Sequence, residues 1–436
     1  MAASPCFPPA QVSARSSLTG PHGWALPKCS CESFDVKRLL SISTLYPAPG
    51  RSGFGRFVAR QMEALAARGD WQVTVINPIG LPPLPLKRYA PLRAIPAVEA
   101  QGPLTIHHPR FTLLPAISGP INPALIARAV LPLAQKLHAE TPFDLVDAQF
   151  FYPDGPAAAK IASALGLPLA IKARGSDIHL WGERTLARHQ ILAAAHQASA
   201  ILTVSRSLTK DMAAMGIPEA TTHVHYTGLD RERFQPLERK AARQLISAIP
   251  ALHVWSTGPL LLCVGALVPI KGQAIAIRAL KHLPEDVRLA IAGTGLDESA
   301  LKALTVELGL EQRVHFLGAV EHDLLPQLLC AADAMVLPSE REGLANAWIE
   351  AIACGTPVII PDVGGAREVV LDDTAGRIVE RTPEAIALAA TDLLANPPSQ
   401  QSVAANAERF SWSANAAALA AIYEEALGPP ATESAS

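Results

Sequence analysis

The chain has 436 residues, of which 49% are hydrophobic and 17% charged, and its formal net charge is −2. This length exceeds one ordinary core, so two domains are expected, and the near-neutral charge argues against a nucleic-acid partner. The six cysteines form no regularly spaced series, which argues against a disulfide framework or a structural metal and favours a cytoplasmic setting.

Both ends of the chain are predicted to be disordered. Residues 1–35 mix Pro, Ser, Cys and Gly without the apolar segment of a secretory signal, so they are expected to be a disordered extension or translation from a start upstream of the native one. Residues 428–436 are predicted to form a disordered tail.

No apolar stretch is long enough to span a bilayer. The segment 81–92 mixes prolines and leucines with Lys87 and Arg88, which leaves peripheral contact with the inner membrane face open. A surface loop is the simpler interpretation of that segment.

A first α/β series is predicted over residues 36–235. It opens with strand 37–43, a glycine-bearing loop around Gly53, an amphipathic helix ending at Gly69, and strand 71–76. The loop is suited to bring backbone amides to a phosphate, although a tight turn explains its glycines about as well. Residues 78–120 give no clear pattern, and the later predicted elements are helix 123–138, strand 143–148, helix 154–165, strand 169–173, helix 183–198 and strand 201–204.

Arg174 and Asp177 follow the strand 169–173 directly. A position at the carboxyl end of a strand places charged groups in the crevice of an α/β domain, so both residues are candidates for the site. The alternative is a surface ion pair in which Asp177 caps a helix.

A prolyl and charged segment at 236–258 is the predicted linker to a second α/β series over 259–411. That series begins with strand 260–264, continues through a loop from Gly265 to Lys271 into a helix, and places Gly295 after strand 287–292. A last helix over 412–427 is expected to close the chain, with a return to the first domain left open.

Residues 334–360 are predicted to form a strand, a turn, a helix and a strand. Glu342 lies at the turn and Glu350 inside the apolar helix. Ser339 and Glu342 also match a capping box, in which Glu342 would satisfy amides at the start of the helix, and Glu350 would then be a solvated charge.

The order and spacing of these motifs resemble those of retaining GT-B glycosyltransferases of family 4, over about residues 36–425. The motifs that carry the resemblance are Val264-Gly265-x-Leu267-Val268-Pro269-x-Lys271-Gly272, Ala292-Gly293-x-Gly295, Phe316-Leu317-Gly318, Pro338-Ser339-x-x-Glu342-Gly343, Glu350-Ala351, Gly355-x-Pro357-Val358 and Gly364-Gly365-x-x-Glu368. Arg174-Gly175-Ser176-Asp177 and the Gly53 loop extend it into the first half.

The resemblance implies two Rossmann-like domains facing each other across a cleft. It implies transfer of a sugar from a nucleotide-sugar donor, with retention of configuration and without a bound metal. Lys271 would hold the phosphates, Glu342 would contact the sugar and Glu350 the ribose. The remaining donor-binding positions that it implies are Gly53, Gly265, Gly295, Val320 and the amides of Gly343, Leu344 and Ala345 at a helix N-terminus, while Arg174 and Asp177 would act from the facing domain.

Three positions depart from the family pattern. The arginine that usually follows the first glycine of the phosphate loop is Ala266, the histidine of His-Gly-x-Asp is Arg174, and the asparagine of Asn-Gly-x-Asp is Thr227. These changes leave the acceptor open among a glycan, a lipid-linked and a small-molecule compound, in polysaccharide or glycolipid synthesis. A non-catalytic nucleotide-sugar-binding protein and a sugar-nucleotide epimerase on the same plan are the alternative functions.

Overall fold

The computed structural model describes residues 36–48, 55–115, 117–247, 258–321 and 323–428. The predictions made for residues 1–35, for Gly53 and for the tail beyond Gly428 lie outside these ranges.

The first half of the chain builds an eight-stranded sheet. Its order is β10-β9-β8-β7-β1-β2-β5-β4, all neighbours are parallel except the pair β4–β5, and β3 and β6 form a separate parallel pair. The strands are β1 (Lys37–Ile42), β2 (Trp71–Ile76), β3 (Ile79–Leu81), β4 (Val98–Gln101), β5 (Leu104–His107), β6 (Arg110–Thr112), β7 (Leu145–Ala148), β8 (Leu169–Ala173), β9 (Ala200–Thr203) and β10 (Thr222–Val224).

Helices cover this sheet because each presents an apolar face to it. In α1 the side chains of Val58, Met62 and Leu65 recur at helical spacing and are fully buried. The hydroxyl of Ser205 accepts the Leu208 amide and caps the start of α7. The helices are α1 (Arg56–Ala66), α2 (Ala90–Arg93), α3 (Asn122–Glu140), α4 (Asp154–Leu165), α5 (Ser176–His179), α6 (Thr185–Gln197) and α7 (Arg206–Met215).

The second half builds a six-stranded, wholly parallel sheet in the order β13-β12-β11-β14-β15-β16. Its strands are β11 (Leu260–Val264), β12 (Arg288–Ala292), β13 (Val314–Gly318), β14 (Ala334–Val336), β15 (Val358–Pro361) and β16 (Gly376–Val379). Its helices are α8 (Arg239–Ser247), α9 (Gln273–Ala279), α10 (Glu298–Glu307), α11 (Leu325–Ala331), α12 (Asn346–Ala353), α13 (Ala366–Val369), α14 (Pro383–Ala395) and α15 (Gln400–Ala405), followed by α16 (Trp412–Leu427).

Each sheet has a point where the strand order reverses. In the first sheet this point lies between β1 and β7, and in the second it lies between β11 and β14. Open parallel sheets bind ligands in the crevice outside the strand ends at such a point. The predicted α/β fold with two Rossmann-like halves is confirmed, and the loop with Lys271 and the turn with Glu342 flank the reversal point of the second sheet.

The last helix packs on the first sheet, although it follows the second sheet in the chain. Tyr423 of α16 is fully buried and its ring meets the Trp71 ring edge-on at 5.5 Å. Tyr423 and Leu419 share a buried apolar cluster with residues of α1, β1 and β2. The polypeptide therefore crosses between the two sheets twice.

The predicted linker 236–258 is only partly described. Within it, α8 packs on α11, and Arg239 and Arg243 both form ion pairs with Asp333, at 3.6 and 2.7 Å. Residues 248–257 lie outside the described ranges, so the boundary between the domains stays a prediction.

Candidate active site

The loop after β11 carries Lys271 at the second sheet's reversal point. Its shape is set by close backbone packing, since a Cβ atom on Gly295 would lie 2.1 Å from the Leu267 carbonyl oxygen. The Gln273 side chain donates to the Ala266 carbonyl at 2.9 Å and braces the loop from the other side. Gly265 leads into this loop directly from β11. Of these predicted donor-binding residues, Gly295 is needed for loop packing, and Lys271 presents the charge.

Lys271 and Glu342 form an ion pair, in which the ammonium donates to Oε1 of the carboxylate. Their side chains are 23% and 10% exposed. The Glu340 amide also donates to the Ile270 carbonyl at 2.7 Å, so the two loops are joined by backbone as well. The structure therefore brings the two predicted residues together at the strand ends.

The capping-box interpretation of Glu342 is wrong, and so is the predicted start of the helix at Gly343. Helix α12 begins at Asn346, after Ala345, and no side chain caps it. The Ser339 hydroxyl has no hydrogen-bond partner within the described residues. Leu344 and Ala345 are buried just before the helix. Glu342 is free of a capping role because Lys271 takes its carboxylate.

Gly343 lies where a loop of the second sheet comes close to a loop of the first sheet. A Cβ atom there would lie 2.8 Å from the Arg174 carbonyl oxygen, and one on Gly175 would lie 3.4 Å from the Gly343 backbone. Residues 265–272 and 338–350 are called the second-sheet wall below, and residues 149–154 and 174–177 the first-sheet wall. The two walls meet at these two glycines.

A cavity of about 360 Å³ adjoins this contact and contains Glu350. Val320, placed near the nucleotide base by the sequence comparison, lines the same cavity. The first sheet contributes Arg56, Phe57 and Arg60 from α1, and the other lining residues are Gly228, Leu229, Asp230, Arg233, Phe234, Leu325, Asn346, Ile349 and Trp412. A carboxylate and a half-buried apolar wall thus share one enclosed space. The arginines were not anticipated from the sequence, which offers no motif for them.

Burial raises the pKa of Glu350 to about 7, and the nearby Arg233 opposes part of that shift. The side chain is therefore not the solvated charge of the alternative interpretation. A carboxylate is an acceptor only, with two oxygens able to receive hydroxyl groups. Glu350 is suited to bind a vicinal diol in the cavity.

Arg174 lies in the first-sheet wall with its guanidinium held on one side. Its Nε donates to the Gln149 carbonyl at 2.7 Å, its Nη2 donates to the Gln149 side chain at 2.8 Å, and its Cζ lies 4.5 Å from the centre of the Phe57 ring. Burial lowers its pKa to about 10, against the opposing pull of Asp177 and Asp147. Within the described part of the chain its Nη1 has no acceptor.

Asp177 is fully buried and binds the backbone of its own wall. Oδ1 accepts the amides of Arg174 and Gly175 at 3.0 and 2.8 Å, and Oδ2 accepts the Phe151 amide at 2.7 Å. Burial raises its pKa, and these amides oppose the shift. The surface-pair interpretation is wrong, because the buried carboxylate fixes the loop that carries Arg174. A catalytic role for Asp177 stays a prediction.

Two family models match the chain. The model described as Glycosyltransferase Family 4 matches residues 51–233, and the model described as Glycosyl transferases group 1 matches residues 249–410. Together they span most of the 436 residues, one for each sheet. The chain belongs to the group 1 glycosyltransferases. The predicted family is thereby confirmed.

Curated relatives are about one third identical in sequence to this chain, over about half of its length. A D-inositol 3-phosphate glycosyltransferase of Xylanimonas cellulosilytica is 33% identical over 255 residues, which are 56% of this chain and 60% of the relative. A GDP-mannose-dependent alpha-(1-6)-phosphatidylinositol monomannoside mannosyltransferase of Mycolicibacterium smegmatis is 32% identical over 228 residues, which are 50% of this chain and 58% of the relative. The matched part thus spans less than two thirds of either relative.

Solved structures match the glycosyltransferase over nearly its whole described length. A sucrose-phosphate synthase from Thermosynechococcus elongatus superposes with a TM-score of 0.71 at 20% identity, covering 89% of this chain and 98% of that one. HepE of Anabaena, solved in complex with UDP, gives 0.67 at 22% identity, with 89% and 99% covered. At these identities the matches show the GT-B fold.

A buried polar network behind the first-sheet wall of the glycosyltransferase was missed by the sequence interpretation. It joins Asp147 on β7 and Gln149 directly after that strand to Tyr423 on α16 and, through Gln61 on α1, to Lys172 on β8. Burial lowers the pKa of Lys172 well below its usual range. Asp147 and Lys172 sit inside otherwise apolar strands, and that anomaly was the available signal.

Glu368, part of the family pattern, joins the two halves of the glycosyltransferase. Its carboxylate accepts the Arg206 amide at 2.8 Å and the Tyr226 hydroxyl at 2.7 Å, both from the first half of the chain. Arg409 also donates to the Glu368 carbonyl. These bonds tie α13 to the start of α7 and to Tyr226.

The residues that the structure describes contain no group of three or more His, Cys, Asp and Glu side chains arranged to hold a metal ion. No helix among them combines the length and apolarity needed to cross a bilayer. Metal independence and membrane contact stay predictions.

Proposed function

We propose that this chain transfers a sugar from a nucleotide-sugar donor to an acceptor hydroxyl, with retention of anomeric configuration and without a metal ion. The observation that carries the proposal is the placement of the Lys271–Glu342 pair and of Glu350 along one wall, with the Glu350 cavity beside them. In this proposal Lys271 binds the phosphates, Glu342 contacts the sugar and Glu350 binds the ribose.

In this proposal the nucleoside occupies the cavity. Glu350 accepts the two ribose hydroxyls, and Val320 lies beside the base. Asn346, which lines the same cavity, begins α12, so the first amides of this eight-residue helix and its positive end point towards the phosphates. The helix amides available to the phosphates therefore begin at Asn346, three residues after the predicted start at Gly343.

Lys271 exchanges partners when the donor binds. In the free protein its ammonium is paired with Glu342, and the donor diphosphate offers a stronger double negative charge at the same point. Release of Glu342 then leaves its carboxylate beside the sugar, where it stabilises positive charge at the anomeric carbon. Ala266 supplies no charge, and the additional cations that line the cavity are Arg56 and Arg60 on α1 and Arg233.

The transfer breaks one bond and forms one. The anomeric carbon–oxygen bond to the diphosphate breaks with its electron pair passing to the phosphate oxygen, where Lys271 stabilises the charge. The acceptor oxygen bonds to the same face of the anomeric carbon, which preserves the configuration. The acceptor proton passes to the leaving phosphate.

The acceptor is proposed to be a phosphorylated polyol, a glycan or a lipid-linked glycan. Support for the first comes from the names of the relatives, which refer to inositol 3-phosphate and to phosphatidylinositol mannoside. Leu84, in the segment 81–92 predicted to allow membrane contact, is 69% exposed, and Ile117 later in the chain is 76% exposed. A cytoplasmic enzyme working at the inner face of a membrane fits these features.

The experiment is a donor and acceptor screen with the full chain. UDP-, GDP- and ADP-sugars are offered with and without inositol phosphates and lipid extracts, and nucleoside diphosphate release is measured in the presence of EDTA. Turnover that survives EDTA and gives a product with the donor's anomeric coupling constant supports the proposal. Absence of binding to every nucleotide sugar contradicts it, and binding without transfer to any acceptor favours the non-catalytic alternative.

Two variants test the site itself. Lys271→Ala and Glu342→Ala are each expected to lose most of the turnover, whereas Lys302→Ala serves as a matched control because Lys302 pairs with Glu298 on an exposed helix. Full turnover in both site variants contradicts the assignment of these residues.

A further inference from the structure

Gln149 stands at the strand-order reversal of the first sheet, directly after β7, and contacts Arg174 twice. Its backbone carbonyl accepts Nε of Arg174 at 2.7 Å, and its side-chain oxygen accepts Nη2 at 2.8 Å. A guanidinium held by two acceptors from one residue has a fixed plane. The Phe57 ring covers that plane at 4.5 Å, so rotation about the side chain is restricted from both directions.

Gln149 is itself held by residues that do not reach the cleft. Its Oε1 also accepts Nε2 of Gln61 from α1, at 2.8 Å, and its Nε2 donates to Oδ2 of Asp147. The Tyr423 hydroxyl of α16 donates to that same oxygen of Asp147. Gln149 and Asp147 are fully or almost fully buried. The orientation of the Gln149 amide is therefore determined, because only one orientation satisfies both neighbours.

A second arm fixes Gln61. Lys172 donates to Oε1 of Gln61 at 2.9 Å and to Nδ1 of His225 at 2.6 Å, and Nε2 of His225 donates to the Asn415 carbonyl of α16 at 2.9 Å. Burying a lysine, an aspartate and two glutamines costs free energy that an apolar core would not. Every residue of this network has a bonded partner, although Oδ1 of Asp147 has none among the described residues. A bonded buried network of this kind favours one arrangement of its members.

We propose that Gln149 is a positioning residue for Arg174 and that Tyr423, acting through Asp147, fixes Gln149 from the last helix of the chain. Nη1 of Arg174, which has no acceptor among the described residues, is then the group presented to the donor sugar or its phosphates. This inference rests on the proposed function and on the sequence prediction that Arg174 acts on the donor from the facing domain. In this proposal α16 influences the site through buried residues, without contacting the substrate.

The first measurement needs no activity. The full chain is labelled with ¹⁵N-arginine, and the signals of Arg174 are identified as those lost in Arg174→Lys. Separate, slowly averaging Nη signals are expected in the wild type, because the Nη2 bond to Gln149 hinders rotation of the guanidinium. Gln149→Met, which keeps the volume and the backbone carbonyl but removes the amide, is expected to average them, and Tyr423→Phe is expected to shift them in the same direction.

The second measurement is kinetic. Gln149→Met is expected to lower kcat for donor turnover about tenfold and to change the Kd of UDP, GDP or ADP less than twofold, since the nucleoside lies against the other wall. Because Gln149 acts through Arg174, the double variant with Arg174→Lys is expected to be no slower than Arg174→Lys alone. Gln197→Met is the matched control, as Gln197 bonds to the Ala159 carbonyl on the far side of the sheet.

Arg174 signals that are identical in the wild type and Gln149→Met overturn the inference, and so does an additive double variant. A protein that binds no nucleotide sugar contradicts the proposed function alone, because the labelled-arginine measurement still decides whether Gln149 orients Arg174. If Gln149→Met fails to fold, Tyr423→Phe makes the same decision, since it removes a single hydroxyl from the network.

Discussion

The two walls of the cleft hold their charged groups in different ways. In the second-sheet wall, Lys271 and Glu342 sit at the ends of short loops, partly exposed, with each other as partners. In the first-sheet wall, Arg174 is held by Gln149 and by residues buried behind it. A pair near solvent can exchange a partner for a ligand, whereas a buried network keeps its geometry. The comparison predicts that changes in the second-sheet wall mainly impair catalysis and that changes in the first-sheet wall also lower stability.

The largest effect is expected from Lys271→Met. Loss of a preorganised cation at a developing phosphate charge costs about 3–4 kcal/mol of transition-state stabilisation, or roughly 10²–10³-fold in kcat/KM. The free energy of unfolding, measured by urea denaturation, is expected to stay within about 1 kcal/mol of the wild type, because a partly exposed pair contributes little. A large loss of stability with normal kcat/KM would reverse the roles of the two walls. Lys302→Met controls for removal of a lysine.

Asp177→Ala tests the first-sheet wall. The change leaves the buried amides of Phe151, Arg174 and Gly175 without their acceptor, and each such group costs about 1–3 kcal/mol. We expect a loss of about 3 kcal/mol or more in the free energy of unfolding, measured by urea denaturation. Asp362→Ala, which removes a surface pair with Arg367, is expected to change it by less than about 1 kcal/mol. Equal effects of the two substitutions would contradict the structural role.

Glu350 gives the comparison a pH dependence. Its pKa is raised from 4.5 to about 7 by burial, so the carboxylate form, which we propose accepts the ribose hydroxyls, is the minor form below pH 7. The affinity for UDP, GDP or ADP is therefore expected to fall up to tenfold for each pH unit below about 7 and to be constant above it. Isothermal titration between pH 5 and 8.5 measures this. In Glu350→Gln the slope should vanish, and a slope that persists assigns it to another group.

The same shift affects folding with the opposite preference. A carboxyl group whose folded pKa lies above its unfolded value stabilises the fold at low pH, and this contribution is lost as the pH rises from about 4.5 to 7. Glu350→Gln removes that loss, so its melting temperature relative to the wild type is expected to be higher at pH 8 than at pH 5. An equal difference at both pH values would place the titration elsewhere.

The smallest effect is expected where Glu368 joins the two halves. Tyr226→Phe removes one hydrogen bond to the Glu368 carboxylate, which is worth about 1 kcal/mol, or roughly fivefold in KM if closure is coupled to binding. Small-angle X-ray scattering is expected to show a larger radius of gyration for the variant without donor. Tyr89→Phe is the control, because Tyr89 lies in the first half and stacks only with Arg88 among the described residues. An unchanged KM and radius would mean that this contact does not limit closure.

The fold and the second-sheet wall were largely predictable from the sequence. Strands such as 71–76, 169–173 and 260–264 have the predicted bounds, because buried parallel strands are short apolar runs bounded by turn residues. Lys271 follows β11 and Glu342 follows β14, which are neighbouring strands at the reversal point of the second sheet. The topology alone brings the ends of these two strands together.

The start of α12 was wrong by three residues, and the reason is local. Ser339 and Glu342 have the spacing of a capping box, but Lys271, which lies 71 residues earlier, takes the carboxylate, and the close approach of Gly343 to Arg174 keeps the backbone out of the helix. A pairing across the sheet outweighed a pattern of four residues.

The first-sheet wall was not predictable beyond Arg174. Asp147 and Tyr423 are 276 residues apart, and Lys172 and His225 are 53 apart, so no spacing in the sequence marks their contacts. A buried polar residue in an apolar strand signals that a partner exists, but the partner is determined by how the last helix returns.

That return of α16 has a consequence for biosynthesis. The apolar face formed by Leu39, Val73 and the α1 helix is covered by Leu419 and Tyr423, which the ribosome adds only after the whole second sheet. Domains generally fold as they emerge, yet this one has to keep an uncovered face until α16 has been made. The first sheet is therefore made before the second sheet but covered after it, and a translation pause or truncation before α16 would leave its apolar face exposed to chaperones and proteases.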